Sequence, residues 1–461
     1  MNIYIYIIMC IAVFLSTTAR AQVRSGYFID NYATSHEINP ALQPDSNYMT
    51  IPVLGGTQIS TYSSIGMGDV LFEKTDGKLT TFMSKGTIDK GELMDKVGNG
   101  VNLNASLRLN LFSMGRRISD NTYRTLGITL KADGAGFLSK GLFDCMKDIE
   151  NRNYNIDDTG IKASAYLEFA AGESRKLNEK ITVGAKAKLL VGLMNVNMNV
   201  DHMTLNTNSD TEWTASGYAT LNMSGMNYKT QKKSYDSHPG SYEKVKDVRI
   251  GKPGLHGMGL AMDGGVTFRP NKQWELSAAI TDFGFITWFN SHKAENNGET
   301  FRFDGFQDVE IEKNKENSLK KQWDNLHDDL MDLVHLKYHG KSTYTNMLGA
   351  TINLGALYRI DTNNNYKAGA LITGRIDGKY SWWETRINAM AKPFAKTNIE
   401  FCISPNYSTF GAGVGAMINY ITNSGLNLYL ASDRLFTTVN PQMIPTSLNG
   451  AVQIGAAIRI K

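Results

Sequence analysis

The stretch Leu103-Asn104-Ala105-Ser106-Leu107-Arg108-Leu109-Asn110-Leu111 decides the fold. In an extended chain Leu103, Ala105, Leu107, Leu109 and Leu111 share one face, and Asn104, Ser106, Arg108 and Asn110 the other. Period two means a strand with one apolar and one polar side. The pattern recurs outward from this point. Ile161, Ala163, Ala165, Leu167 and Phe169 oppose Lys162, Ser164, Tyr166 and Glu168. Ile181, Val183, Ala185, Ala187 and Leu189 oppose Thr182, Gly184, Lys186 and Lys188. Met258, Leu260, Met262, Val266 and Phe268 oppose Gly259, Ala261, Asp263 and Thr267. Alternation continues near 274–281, 346–358, 366–376, 398–404, 408–420, 424–433 and 448–460.

A soluble sandwich would turn these apolar faces inward; a membrane barrel turns them to lipid. Three features favour the barrel. Strands of roughly 9–13 residues exceed the ~5–6 of an ordinary sheet and suit the ~9–11 of a tilted membrane strand. The polar faces carry bulky charge in mid-strand, which makes Arg108, Glu168, Lys186, Lys188, Asp263, Arg375, Arg386 and Glu400 the candidate lumen-lining residues. Aromatic residues gather near strand ends (Trp213, Trp274, Trp288, Tyr358, Tyr366, Trp382, Trp383, Tyr420), where membrane–water boundaries hold such rings. The expected fold is all-β: a transmembrane antiparallel β-barrel of about 14 strands, range roughly 12–16, over residues 48–461, with helical segments in long loops.

Short turns (270–272, 361–365, 393–396, 422–424) interleave with long connections (65–101, 133–160, 225–256, 290–345, 433–447). The count is about 14 if 180–205 is one strand and about 16 if the chain reverses at Gly192. Loop parity favours the larger number; the poor turn chemistry of Gly192 favours the smaller.

Composition narrows the class further. The balance of 48 Lys+Arg against 44 Asp+Glu, net +4, creates no field that would hold nucleic acid. Only the N-terminus carries a long apolar run, which excludes a multi-helix membrane protein. That run, Ile3–Leu15, is followed by Ala19-Arg20-Ala21, so residues 1–21 read as a cleaved signal peptide and the chain as exported to the cell outer membrane. Met9 before Cys10 argues against a lipid anchor there. Cys145 and Cys402 share no spacing that suggests a disulfide or a zinc site.

Three pieces break the alternation. Residues 22–47 hold Asn39-Pro40-Ala41, where Pro40 sets a turn, and form a candidate hatch inside the lumen. Residues 313–336 place Leu319, Trp323, Leu326 and Leu330 at helical spacing, a loop helix whose stripe meets either a partner or the barrel rim. Segments 79–97 and 137–149 are candidates for short helices.

Catalytic and metal motifs are absent. His335 and His339 lie near Asp328, Asp329 and Asp332 without an HExxH, so a solvated loop is expected and no metal. Gly257, Gly259, Gly264 and Gly265 fail the GxGxxG spacing and read as glycines on a lumen wall; no GxSxG occurs. Glu168, Asp263 and Glu400 read as lining residues, not as an acid–base pair, so neither an enzyme nor a cofactor is expected.

Several stretches together resemble a family. They are Ser25-Gly26-Tyr27-Phe28, Asn39-Pro40-Ala41, Tyr48-Met49-Thr50-Ile51-Pro52-Val53-Leu54-Gly55, Lys78-Leu79-Thr80-Thr81-Phe82, Ala165-Tyr166-Leu167-Glu168-Phe169, Val183–Gly192 and Phe283-Gly284-Phe285-Ile286-Thr287-Trp288. They resemble an uncharacterised outer-membrane family of Bacteroidetes, a domain of unknown function. The early Asn-Pro-Ala is also similar to that of FadL-type channels and of the related barrel of type IX secretion. The resemblance implies a barrel with an N-terminal lumen segment that passes small hydrophobic compounds. The alternative is a non-transport surface scaffold or partner subunit, for example beside a secretion system. The expected partners are outer-membrane lipid, a hydrophobic small molecule and a surface or secretion protein.

Overall fold

The computed structural model describes residues 24–460 except 75–78, 149, 208–212, 235–240, 252–253, 297, 299–300, 304–309, 312–335, 395–396 and 436–448. The expectations for residues 1–21, for Leu319, Trp323, Leu326 and Leu330, and for His335 lie outside these residues.

Among the described residues, 14 strands close into an antiparallel ring. They are β1 Asn47–Ser63, β2 Gly100–Ser119, β3 Thr122–Ser139, β4 Gly160–Lys176, β5 Ile181–Asn206, β6 Gly257–Phe268 and β7 Trp274–Glu295. The ring continues with β8 Ala350–Arg359, β9 Tyr366–Ile376, β10 Trp382–Ala391, β11 Asn398–Ser408, β12 Gly411–Ile421, β13 Leu426–Ser432 and β14 Gly450–Ile460. Each pairs with its neighbour, and β1 pairs with both β2 and β14, which leaves no free edge in the ring.

The greasy side chains point out. Leu260, Met262, Ile372, Ile387, Ile403, Leu430 and Ile454 are all more than half exposed on the outer surface, while their neighbours Asp263, Thr373, Arg386, Ser404, Tyr429 and Gln453 are buried inside. Only a hydrocarbon solvent makes that arrangement favourable, since each exposed aliphatic side chain would cost ~1.5–3 kcal/mol in water. Closure leaves every backbone group of the ring free to pair within the sheet, as lipid requires.

The stretch 181–206 is a single strand, which corrects the 16-strand count that loop parity favoured. Its lower half, Ile181–Gly192, pairs with β6, and its upper half, from Asn195, pairs with the strand Trp213–Ser224. Gly192 is therefore no turn. A Cβ there would sit 2.5 Å from the Trp288 ring, so the glycine allows a close approach. Trp288 itself is fully buried, its Nε1 donating to Asn346 Oδ1 at 2.6 Å, and does not belong to a boundary belt. Trp213 packs against a buried cluster on the long-loop side, and Trp382 lies beneath the Arg24 guanidinium at 4.5 Å. Trp274, Tyr366, Trp383 and Tyr420 do face outward near strand ends.

The long-loop end is capped. Strand β3 runs to Ser139, so the connection expected from 133 begins at 140 with helix α2, Lys140–Lys147. Helix α1, Lys90–Val97, starts at Asp89, whose carboxylate accepts from Gly91 N–H at 2.8 Å. Leu93, Val97, Phe82 and Phe143 form one apolar cluster, and Leu142, Cys145, Met203, Leu205 and Leu221 another. In Thr50–Gly55, β1 bulges outward against β14, with Val53 in the left-handed region at φ 65.

Candidate functional site in the barrel lumen

Alternation that puts apolar residues outside puts polar ones inside, and fourteen strands enclose more space than their own inward side chains fill. Residues 24–45 occupy that space as a hatch that enters from β1 at the short-turn end. Two glycines let it lie against the wall. A Cβ on Gly184 would come within 2.2 Å of Pro40 O, and one on Gly265 within 2.1 Å of Asn39 Oδ1. Asn39 Oδ1 accepts from Ala41 N–H at 2.9 Å, fixing the turn, and Asn39 Nδ2 donates to Tyr27 OH at 3.1 Å.

Three polar anchors hold the hatch. At the first, Asp433 accepts from Arg24 N–H at 2.9 Å, Ser25 N–H at 3.1 Å and Ser25 Oγ at 2.6 Å. Arg386 steadies that carboxylate at 2.8 Å and also meets Glu384 at 2.9 Å and Ser404 Oγ at 2.8 Å. At the second, Asp30 pairs with Lys367 at 2.9 Å and Lys392 at 2.6 Å. Lys367 also meets Glu400 at 2.6 Å and donates to Phe28 O at 3.0 Å. At the third, His36 Nδ1 lies 2.6 Å from Lys186 Nζ, while His36 Nε2 contacts Tyr48 OH. Asn110 Nδ2 donates to Glu37 Oε1 at 3.1 Å beside it.

Above the third anchor lies a layer of six charges, one from each of six successive strands: Arg108 (β2), Lys131 (β3), Glu168 (β4), Lys188 (β5), Asp263 (β6) and Asp282 (β7). Lys188 meets Asp263 at 2.6 Å and Asp282 at 2.7 Å; Lys131 meets Glu168 at 2.6 Å and Asp282 at 3.0 Å; Arg108 reaches Asp282 at 3.4 Å. Three cations face three carboxylates, so the layer is neutral. Neutrality, with close ion pairs on each carboxylate, is what makes charge tolerable at such depth.

Of the eight candidate lining residues, Arg108, Glu168, Lys188 and Asp263 thus meet in one layer, and Lys186 faces His36. Arg386 sits at the first anchor and Glu400 at the second. Arg375 stands apart, 3.6 Å from Asp377. Sequence reasoning missed Lys131, Asp282, Lys367, Asp433, Asp30 and His36. Asp282 had a signal: aspartate is disfavoured inside a strand. Here it takes φ 60, and Thr281 and Asp282 are both buried.

Two cavities lie beside the hatch. A cavity of about 30 Å³ separates His36 and Glu37 from the charge layer, space for about one water. A cavity of about 150 Å³ opens at the short-turn mouth between hatch and wall. Among the described residues no cluster of His, Cys, Asp and Glu could hold a metal, and no helix is long and apolar enough to cross a membrane. His339 lies in the strand Lys337–Met347, 4.0 Å from Glu295.

The profile of a family described as "Family of unknown function (DUF5723)" matches residues 40–433. No curated protein matches the sequence. Solved structures similar to the chain include the toluene transporter TbuX of Ralstonia pickettii, at 10% identity, 93% of this chain, 94% of that chain and TM-score 0.44. A FadL homologue of Pseudomonas aeruginosa follows, at 13% identity, 96% of this chain, 94% of that chain and TM-score 0.42. The toluene transporter TodX of Pseudomonas putida shares 11% identity, with 96% of each chain covered and TM-score 0.38.

Proposed function

The chain belongs to the family of unknown function DUF5723, and from that premise we propose that it is an outer-membrane channel in its closed state. It passes small hydrophobic compounds, and residues 24–45 are its gate. One observation carries this reading: a segment outside the ring fills the lumen. A segment seated on hydrogen bonds and ion pairs can leave without breaking the sheet, whereas wall side chains cannot. Phe28, Ile29, Leu42 and Leu357 add apolar surface to the otherwise polar cavity behind it, enough to hold the body of a small apolar compound. The eight candidate residues, on this view, tune a closed lumen and do not line an open pore.

Liposomes containing the purified protein provide the test. Uptake of a small aromatic hydrocarbon should rise above that of protein-free vesicles, and rise further when residues 24–34 are removed. Equal uptake by all three preparations would overturn the channel reading.

A second reading has an observation of its own. The long-loop end is a packed cap with two apolar clusters, which suits a surface scaffold or partner subunit that never opens. A disulfide engineered between residue 25 and residue 404, whose Oγ atoms are 3.1 Å apart, would lock the hatch. A scaffold should keep any partner it holds in that locked form, and a channel should lose its flux.

A further inference from the structure

The cavity at the short-turn mouth has a chemistry that passage of neutral molecules does not call for. Its rim carries four cations on the ends of different wall elements: Arg117, Lys176, Arg269 and Arg359. Three carboxylates share the lining, Asp30, Asp45 and Glu275. Two of these are spoken for: Asp30 by Lys367 and Lys392, and Glu275 by Arg269 at 2.6 Å and Arg359 at 2.7 Å. Arg117 keeps part of its donor fork on Pro44 O at 3.1 Å. The Lys176 ammonium has no partner among the described residues. The lining also includes the apolar side chains Phe28, Ile29, Leu42 and Leu357, of which the first three belong to the hatch.

The geometry points to a binding site for a small organic monoanion with a compact apolar body, a carboxylate of about the size of benzoate. Size follows from the volume, since about 150 Å³ has room for roughly a single aromatic ring. Sign follows from the rim, where Asp30 is held by Lys367 and Lys392 and the four cations face only Asp45 and Glu275, which leaves positive charge in excess. Orientation follows from the layout: carboxylate toward Arg117 and Lys176, ring toward Phe28 and Leu357. The inference deepens the channel reading, on which it rests, by naming the ligand at the exit end. An anion seated there touches the hatch, so binding and hatch position are linked.

Equilibrium dialysis of the detergent-solubilised full-length protein against radiolabelled benzoate tests this directly. We expect saturable binding of one benzoate per chain that weakens as salt is raised. Lys176→Met, which removes a cation without a protein partner, should weaken it about tenfold, as loss of one charged contact does. Toluene and inorganic phosphate should compete poorly, the first lacking the charge and the second the apolar body. Three results would each overturn the proposal: no saturable binding, equal affinity in the Lys176→Met variant, or phosphate competing as well as benzoate. Failure of the channel reading looks different. Benzoate would bind as described while the liposomes showed no uptake.

Discussion

Asp433→Ala should release the first half of the hatch. The carboxylate accepts three bonds from Arg24 and Ser25 and is itself paired with Arg386, both charged groups being fully buried. The substitution removes all three bonds at once and leaves Arg386 with Glu384 as its carboxylate partner and the hydroxyls of Ser25 and Ser404. Breaking a buried charged cluster by deleting one partner costs ~3–5 kcal/mol. Here that cost falls chiefly on the seated state, in which Arg386 is shut off from water, because hatch departure would hydrate Arg386 and every backbone pair of the ring is kept. The bond after Arg24 reports the change. Arg24 is 3% exposed, so trypsin can cut there only when the hatch has left. The chain from Asn47 back to Arg24 is long enough, at ~3.3 Å per residue, for the released segment to emerge at the mouth. When opening is fast relative to cleavage, the cutting rate follows the open population. At ~1.4 kcal/mol per tenfold, the variant should be cut about 10²- to 10³-fold faster. Intact mass before and after a timed digest gives the rate. Glu173→Gln, which breaks the exposed pair with Arg124, serves as the control and should change nothing. If Asp433→Ala is cut at the wild-type rate while the barrel stays folded, the hatch is not held as described here.

Three further outcomes follow from the same geometry. Asp282→Asn leaves three cations facing two carboxylates and should lower stability by ~3–5 kcal/mol; adding Lys188→Met should recover most of the loss, both read by urea unfolding in lipid. Gly265→Val would drive a side chain into Asn39 and should unseat the turn, raising trypsin cleavage after Arg24 while the ring still assembles. Burial pushes the Cys145 thiol, in the cap helix α2, up to about 12, so it stays protonated at pH 8 and should resist maleimide until urea opens the cap.

The ring was legible because lipid imposes a local rule. Each strand must alternate on its own, and the stretch 103–111 states the rule within nine residues. The hatch was legible only as a turn, through Pro40. Its anchors were not, since they join residues far apart in the chain: Arg24 and Asp433 are separated by 409 positions. Lys131 escaped for another reason. Its strand, β3, alternates cleanly over Leu126, Ile128, Leu130 and Ala132, but the run passes straight into Asp133, Gly134 and Gly136, which read as the start of a loop. Trp288 and Gly192 misled for one shared reason. An indole near a strand end and a glycine in mid-strand each have an ordinary local meaning, and the structure spends both on a single contact across β5, β6 and β7.

The two fillings of the lumen divide the ring between them, and the division says where a passage would form. The charge layer belongs to β2–β7, and its six members are fixed to the wall. Residues 24–34 of the hatch draw most of their bonds from the opposite arc: Lys367 on β9, Arg386 on β10, Glu400 and Ser404 on β11, Asn419 on β12 and Tyr429 on β13. Removing the hatch leaves the layer neutral and intact, because Asp282, Lys131 and Lys188 satisfy one another without it. The arc β9–β13 would instead be left lined by the groups that had held the hatch. An opening made by hatch displacement is therefore one-sided, running along β9–β13 past a wall that stays shut. Substitutions on that arc should change what passes, whereas substitutions in the layer should change whether the barrel is stable enough to open at all.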